Sequence, residues 1–389
     1  MNIMANEEAL RAQAVAMKAR GNSVAEISRK LGRSRQWIYK WLDRHSEGAE
    51  NWNSSRSRSP VHKAKRIAEP LERLVVETRL RLEASPYSES GAYAIWHDMS
   101  SHGITPPSVA TINRIIGSHG LARRKIRYTK SDIDYPAVPL NTHMMDLIGP
   151  RHLRGGPRFF MLTIISNDSR HAGVYPILTK NSLDVTQSVA AFWKSFSVPD
   201  FLQMDNELSF KGSNRHPRGL GLLLRTALAF NVTPRFIPVG EPWRNGVIER
   251  FNQKVEKTLL SQEHASFNEL LLHSREFTQV HNSEHHYSTL GHKTPLQLDQ
   301  ELDLPIVPLR GDYEVAERPK LDCSNRNEIH FIRLVRSDLT INVLNEEIEV
   351  PLELMHTYVE AILLVNDHQL QIRQDGRLMQ TQEFIMPTE

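Results

Sequence analysis

The feature that most limits the possible folds is a change of hydrophobic period near residue 138. Before it, apolar residues recur at helical spacing. After it, short apolar runs alternate with helical segments. Residues 158–166 (RFFMLTIIS) and 173–178 read as strands joined by a turn at 167–171. Residues 142–147 read as a short strand ahead of them, with Asp146 near its tip. Ser182 caps a helix through Phe196, and the strand 201–204 runs straight into Asp205. A helix over about 221–230 leads to the strand 233–237. Pro242 then opens a long helix through Glu249 to about residue 260, at a position that tolerates a missing N–H. Three strands followed by alternating helices and strands predict a mixed α/β sheet with helices on its faces.

The region before residue 138 is helical and basic. Residues 7–45 predict three short helices: Leu10, Ala14 and Met17 stripe the first, and Gly21 ends it. Ser23 and Glu26 form a capping box for the second, whose apolar face is Val24, Ile27 and Leu31, and Gly32 supplies the turn. Ser34 caps the third, which turns Trp37, Ile38 and Trp41 inward and Arg35, Gln36, Tyr39 and Lys40 outward. This is a helix-turn-helix layout over residues 1–50, whose last helix suits the DNA major groove, with Arg35 and Gln36 fit for bidentate base contacts. A small helical bundle with a solvated basic face has the same pattern. Residues 51–67 predict a linker whose Arg56 and Arg58 suit phosphates. A second helix-turn-helix is expected over 68–130, with Leu71, Leu74 and Val75 in one helix and a pair at 91–99 and 107–117. It ends in the basic run Arg123, Arg124, Lys125 and Arg127.

Charge follows the same division. Lys and Arg exceed Asp and Glu by 23 to 12 over residues 1–130, a net of +11, and by 17 to 16 over 131–300. Over 301–389 they fall short by 8 to 17, a net of −9. A basic first third is the footprint of a nucleic-acid binder. The single Cys323 excludes a disulfide framework and a multi-cysteine zinc cluster, so no zinc is expected. No apolar run is long enough to span a membrane, and the early acids do not suit a signal peptide. A cytoplasmic protein of the bacterial cytosol or nucleoid is the expectation.

In the predicted core, Asp146 and Asp205 end strands and Glu249 lies on the helix after the last one. Phosphoryl transfer on DNA uses two divalent cations, and Mg²⁺ takes oxygen ligands while keeping several waters, so two or three carboxylates suffice. Asp146 would serve both ions, Asp205 one and Glu249 the other. Taken singly, each acid reads better as an ordinary strand-end or helix-surface charge.

The surrounding residues are HMMDLIGP at Asp146, QMDNELSF at Asp205 and EPWRNGVIERFNQ at Glu249, followed by NSEHHYSTLGHKTPLQL at 282–298. On these the chain resembles the integrase catalytic core of retroviral integrases and bacterial insertion-sequence transposases. The resemblance covers roughly residues 7–298. It implies an RNase H-like core over 138–300, catalysis by Asp146, Asp205 and Glu249, two Mg²⁺ ions with Mn²⁺ able to substitute, and DNA-end cleavage and strand transfer. The implied partners are double-stranded DNA, both element ends and target, and further copies of the chain in a homo-oligomer, with no membrane.

Two departures from the family pattern stand out. Asp205 and Glu249 are separated by 43 residues, more than the family's usual spacing, with the excess in 211–224, where Lys211, Arg215, His216 and Arg218 either track DNA or are solvated. Glu207 stands where the family usually has glycine, so it either tolerates another turn or adds a carboxylate. One helical turn past Glu249, Arg250, Gln253, Lys254 and Lys257 present a face that meets the DNA end in the resembling enzymes. His281, His285, His286 and His292 fit a structural or DNA-proximal role better than a metal site, and His143 fits a strand side chain.

Residues 326–389 show six short runs, 329–335, 339–343, 346–350, 359–364, 370–373 and 377–380, with Asp375-Gly376 as a hairpin turn. They predict a small all-β barrel, similar to the SH3-like barrel that ends integrases. Its acidity favours protein contacts in an oligomer, with Arg333 and Arg336 as local basic spots. The fold class expected is therefore multidomain: helix-turn-helix units, an α/β core, then a small barrel. The leading function is a DNA transposase. The alternatives are a catalytically inactive DNA-binding regulator derived from one, and a nuclease of RNA–DNA hybrids.

Overall fold

In the computed structural model, residues 3–48, 50–55, 67–122, 134–212, 218–302, 306–317, 319–321 and 327–387 are described. The expected contacts Arg56, Arg58, Arg123, Arg124 and Lys125, with Arg215 and His216, lie outside them. The chain divides into two compact units, Met1–Ala68 and Glu69–Glu389.

The first unit is built from α1 (Ile3–Ala19), α2 (Val24–Leu31) and α3 (Arg35–Ser46). Ala14, Met17, Ile27 and Ile38 meet in its core, and the capping box of Ser23 and Glu26 forms as expected. Gly32 ends α2 at φ +65°, a left-handed conformation that glycine adopts without Cβ strain. Trp41 is buried, with Arg11 at 4.1 Å and Arg44 at 4.7 Å over its ring. Arg11 also donates to Asn53 O (2.7 Å) and Ser55 Oγ (3.0 Å), and Trp52 meets His45 edge-on. The unit therefore continues to at least residue 55, past the predicted linker start at 51. Arg11 is the reason, because its guanidinium binds the returning backbone.

The second unit opens with α4 (Glu69–Ala84), α5 (Ala92–Ser101) and α6 (Val109–Ser118), packed around Val75, Ile95, Met99, Ile112 and Ile115. Ser108 caps α6 by accepting from Thr111 N. Then come β1 (Thr142–His152), β2 (Arg158–Ser166), β3 (Ala172–Ile177), α7 (Ser182–Ser195), β4 (Phe201–Met204), α8 (Leu208–Lys211), α9 (Leu222–Ala229) and β5 (Thr233–Phe236). A 3₁₀ turn at Pro242–Asn245 leads into α10 (Gly246–Thr258), followed by α11 (Phe267–Glu284) and α12 (Pro295–Glu301). Pro242 thus opens the 3₁₀ turn rather than the helix itself. The chain ends in β6 (Glu328–Leu334), β7 (Thr340–Val343), β8 (Glu346–Glu349), β9 (Tyr358–Leu364), β10 (Gln369–Gln374) and β11 (Arg377–Glu383).

One nine-stranded sheet carries this unit, in the order β11-β10-β9-β6-β5-β4-β1-β2-β3. The central pairs β1–β4, β4–β5 and β5–β6 are parallel, and the others are antiparallel. Alternation along the strands decides which helix covers which residue. Met145, Leu162 and Ile164 pack with Val189, Phe192, Leu224 and Ala227 of α7 and α9. Met144, Met161 and Ile165 pack with Ile248, Phe251 and Phe277 of α10 and α11. No helix among the described residues is long and apolar enough to cross a membrane.

The C-terminal strands correct an expectation. Their predicted boundaries match within a residue or two, except that β11 runs three residues further than expected, but they do not close into a separate SH3-like barrel. β6 pairs with β5 through Arg235↔His330 and Phe236↔Phe331, so β6, β9, β10 and β11 extend the core sheet, while β7 and β8 form a two-stranded hairpin. The reason is that β5 would otherwise be an exposed edge beside buried aromatics. Phe236 and Phe331 stack at 5.1 Å across that junction, both buried.

Phe331→Ala is therefore expected to destabilise the whole second unit, by about 3–5 kcal/mol. Urea unfolding followed at Trp193 should shift as much as unfolding followed at the C-terminal strands. Two transitions, with only the C-terminal one moved, would mean that the strands fold as a separate domain.

Candidate active site

Asp146 shares the parity of Met144 and Ile148, so its side chain faces α10. The residue is five positions into an eleven-residue strand rather than at its tip, because β1 continues as a hairpin with β2. β1 and β4 run parallel in the register Met144↔Gln203, and the same register carried two residues on sets Asp146 beside Asp205, just past the end of β4. Glu249 lies in the first turn of α10. The Asn245 side chain fastens the helix start to the sheet: its Nδ2 donates to Met145 O (3.4 Å) and its Oδ1 accepts from Gln203 Nε2 (3.1 Å).

A hydrogen-bond chain orients Asp146. Leu147 N donates to its Oδ1 (2.8 Å) and Asn252 Nδ2 to its Oδ2 (2.7 Å). Thr163, directly across the ladder, donates to Asn252 Oδ1 (2.7 Å). Asn252 follows Glu249 by three residues, so one helical turn carries both groups toward Asp146. Asn252 stands in the motif that carries the family resemblance, but its role emerges only from this contact. Thr163 has no sequence signal, since its partner is set by strand register.

Burial raises all three acids, and Asp146 also feels the other two. Burial pushes Asp146 from its ordinary 3.8 to about 6, with the charges of Asp205 and Glu249 adding to it and the Leu147 and Asn252 bonds opposing it. Burial also raises Asp205, aided by Glu207 and opposed by Glu207 N–H and Lys180, and burial raises Glu249. Among the described residues, no three His, Cys, Asp or Glu side chains converge closely enough to hold a metal on their own. The donor set still suits a hard cation. Oxygen atoms carrying mutually repelling charge face one side of the sheet, and the hydrogen bonds given to Asp146 come from neutral amides.

Glu207 needs no glycine. Its backbone is extended at φ −60°, ψ 140°, and its N–H donates to Asp205 Oδ1 (3.0 Å), closing the turn. Its carboxylate pairs with Lys180 at 2.9 Å.

Several expected DNA contacts are sorted by burial. Arg35, Gln36, Tyr39 and Lys40 are exposed on α3, as are Arg250, Gln253 and Lys257 on α10. Lys254 is not on that face: its side chain is only 13% exposed, next to His281 Nδ1 (3.3 Å) and Glu89 (3.9 Å), and burial lowers its pKa to about 8. The helical period leaves residue 254 beside 250 and 257, and it is the packing against His281 of α11 and Glu89 that covers it. His281 is fully buried, which holds its pKa well below the usual imidazole value, and its ring bridges Lys254 and Arg170 O, a structural placement. His143 is a buried strand side chain between Phe192 and Phe196. In the enlarged segment, Lys211 Nζ reaches Asn345 (3.0 Å) and Arg218 grips Glu346 (2.7 Å) and Ile385 O. Those two cations are held by the C-terminal strands. Arg333 is likewise buried rather than a basic surface spot.

Residues 231–295 match the integrase core domain family, and residues 5–52 match a homeodomain-like domain family. The core match includes Glu249 and Asn252 but neither aspartate. Among similar solved structures are the HTLV-2 integrase catalytic core domain with magnesium (TM-score 0.33, 11% identity, 42% of this chain and 97% of that one) and the BIV integrase core (0.32, 14%, 42% and 95%). A simian T-cell lymphotropic virus intasome with the PP2A regulatory subunit B56 gamma scores 0.37 at 11% identity, covering 75% of this chain and 95% of that one.

The raised Asp146 pKa has a sign that can be tested. The folded chain binds this proton more tightly than the unfolded one, so its stabilising contribution is full below 3.8 and is lost as pH rises through about 6. Asp146→Asn removes that loss, and the Asn252 amide can turn over to accept from the new donor. In metal-free buffer at pH 8 the variant should be the more stable by up to about 2 kcal/mol, with the difference closing near pH 4. Thermal melts at both pH values check this, and a less stable variant at pH 8 contradicts it.

Proposed function

We propose that this chain, which belongs to the transposase and integrase superfamily, is a DNA transposase that cleaves DNA ends and joins them to target DNA. The observation that carries the reading is the placement of Asp146, Asp205 and Glu249 on one face of the sheet, with Asn252 and Leu147 N–H orienting the first of them.

Asp146, Asp205 and Glu249 would hold two Mg²⁺ ions, which would activate the attacking oxygen and stabilise the leaving one. Asp146 contributes two oxygens whose directions are set by hydrogen bonds, so little reorganisation is needed to use them. Asp205 is offered from a closed turn at a strand end, and Glu249 from a helix start that Asn245 pins to the sheet. Lys180, paired with Glu207 beside Asp205, places a cation next to the same turn. Arg250, Gln253 and Lys257 are exposed on the helix that carries Glu249 and suit a DNA backbone. Arg35 and Gln36 suit base edges, with Tyr39 and Lys40 toward the phosphates. Assembly as a homo-oligomer on paired ends belongs to the same reading.

The test is to incubate the full chain with labelled double-stranded oligonucleotides carrying its element's ends, with Mg²⁺ or Mn²⁺. Nicking and joining should appear with the wild type and vanish with Asp205→Asn, while DNA binding persists. Asn252→Ala should lower the rate by about 10–100-fold. DNA binding with no cleavage by the wild type in either metal would sink the enzyme reading and leave a DNA-binding regulator. Separately, Arg35→Ala or Gln36→Ala should cost about 1–3 kcal/mol in preference for the cognate end. Equal weakening on cognate and unrelated duplexes would assign these side chains to phosphates instead.

A further inference from the structure

The residue after Asp205 is held from an unexpected direction. Asn206 Nδ2 donates to Ile237 O (2.8 Å), and its Oδ1 accepts from Arg333 Nη2 (2.9 Å), a side chain from β6. The same guanidinium donates through Nη1 to Ile237 O (3.2 Å) and Ile332 O (2.9 Å), and through Nε to Asn342 O (2.7 Å). Arg333 is 6% exposed. Among the described residues, no carboxylate lies within ion-pair distance of it. Burying a cation among neutral oxygens is costly, and burial brings its pKa down to about 10. A fixed fork of five N–H donors can hold Asn206, the end of β5 and the end of β7 together, which a lysine ammonium cannot match.

We infer that Arg333 is a positioning residue for Asp205, acting through Asn206, so that the C-terminal strands complete the site rather than adding a separate DNA-binding module. This rests on the reading of Asp205 as a metal-binding carboxylate. The turn 205–207 has two anchors on its two sides. Glu207 N–H holds the Asp205 carboxylate itself, and the Asn206 side chain ties the intervening residue to β5 and β6. Without the second anchor the turn can rotate about the end of β4, and the carboxylate direction is no longer set. Two further ties join the same strands to the site. Gln203, which meets Asn245, accepts from Arg235 (2.5 Å), and Arg235 faces Glu360 of β9 at 3.7 Å. Tyr358 of β9 donates to Glu241 (2.6 Å) and accepts from Arg244 (2.9 Å), either side of the exposed Trp243.

The test uses Asn206→Ala and Arg333→Lys in the full chain, with Asp205→Asn as the control. Asn206 is half-buried on a turn, so its truncation leaves Arg333 and its backbone acceptors in place. Mn²⁺ binding is read by electron paramagnetic resonance, independently of activity. Both variants should bind Mn²⁺ about 10-fold more weakly or worse, with Asn206→Ala melting within a few degrees of the wild type. The Mg²⁺ needed for half-maximal nicking should rise in parallel, with most of the rate recovered at saturating Mg²⁺. Wild-type Mn²⁺ affinity in both variants overturns the inference alone. No Mn²⁺ binding by the wild type overturns the metal-dependent reading and this inference with it.

Discussion

Crowding of like charge on a partly dry surface is the constraint on which this molecule turns. Three carboxylates are brought to one face of the sheet, where burial and mutual repulsion raise Asp146 to about 6. Such an arrangement is unfavourable on its own, and a chain free to relax would splay it. Rigidity prevents that. Asp146 sits inside a strand paired on both sides, its two oxygens take bonds from a backbone N–H and from Asn252, and Asn252 is itself held by Thr163. Positive charge between the acids would relieve that repulsion, which is the physical basis of the proposed cation site.

The second constraint is the junction of β5 with β6. Parallel central strands are covered on both faces and need partners on both edges. β6 and β9 supply that partner and bring charged groups with them. A buried polar row follows the sheet from Gln203 through Arg235 to Glu360 and His330, one residue per strand. Glu346, Glu360 and Glu328 are thereby spent on cations within the chain. Part of the acidity of the C-terminal strands is thus internal compensation.

Local structure was legible wherever it depends on neighbours in sequence. The capping box at Ser23, the left-handed turn at Gly32, β2, β4 and the run of C-terminal strands all follow from patterns a few residues long. The same patterns misled where a distant partner decided the outcome. Lys254 reads as one of a basic helical face, yet His281 and Glu89 pack over it and bury it. Arg218 reads as either a DNA contact or a solvated cation, yet Glu346, 128 residues away, holds it. Glu207 reads as a misfit for glycine, yet the backbone there is extended, and the turn is closed by Asp205 itself.

By itself the sequence determined which residues are chemically able to act: three acids in motif contexts, a basic helix pair and an α/β core with strands after it. Those are properties of side-chain type and short-range period. Only the tertiary structure decided that Asn252 and Thr163 orient Asp146, that Arg333 holds the turn of Asp205, and that the final strands continue the core sheet. Each depends on strand register and on contacts roughly 90 to 130 residues apart in the chain. Chain closure over such separations leaves no local periodicity to read.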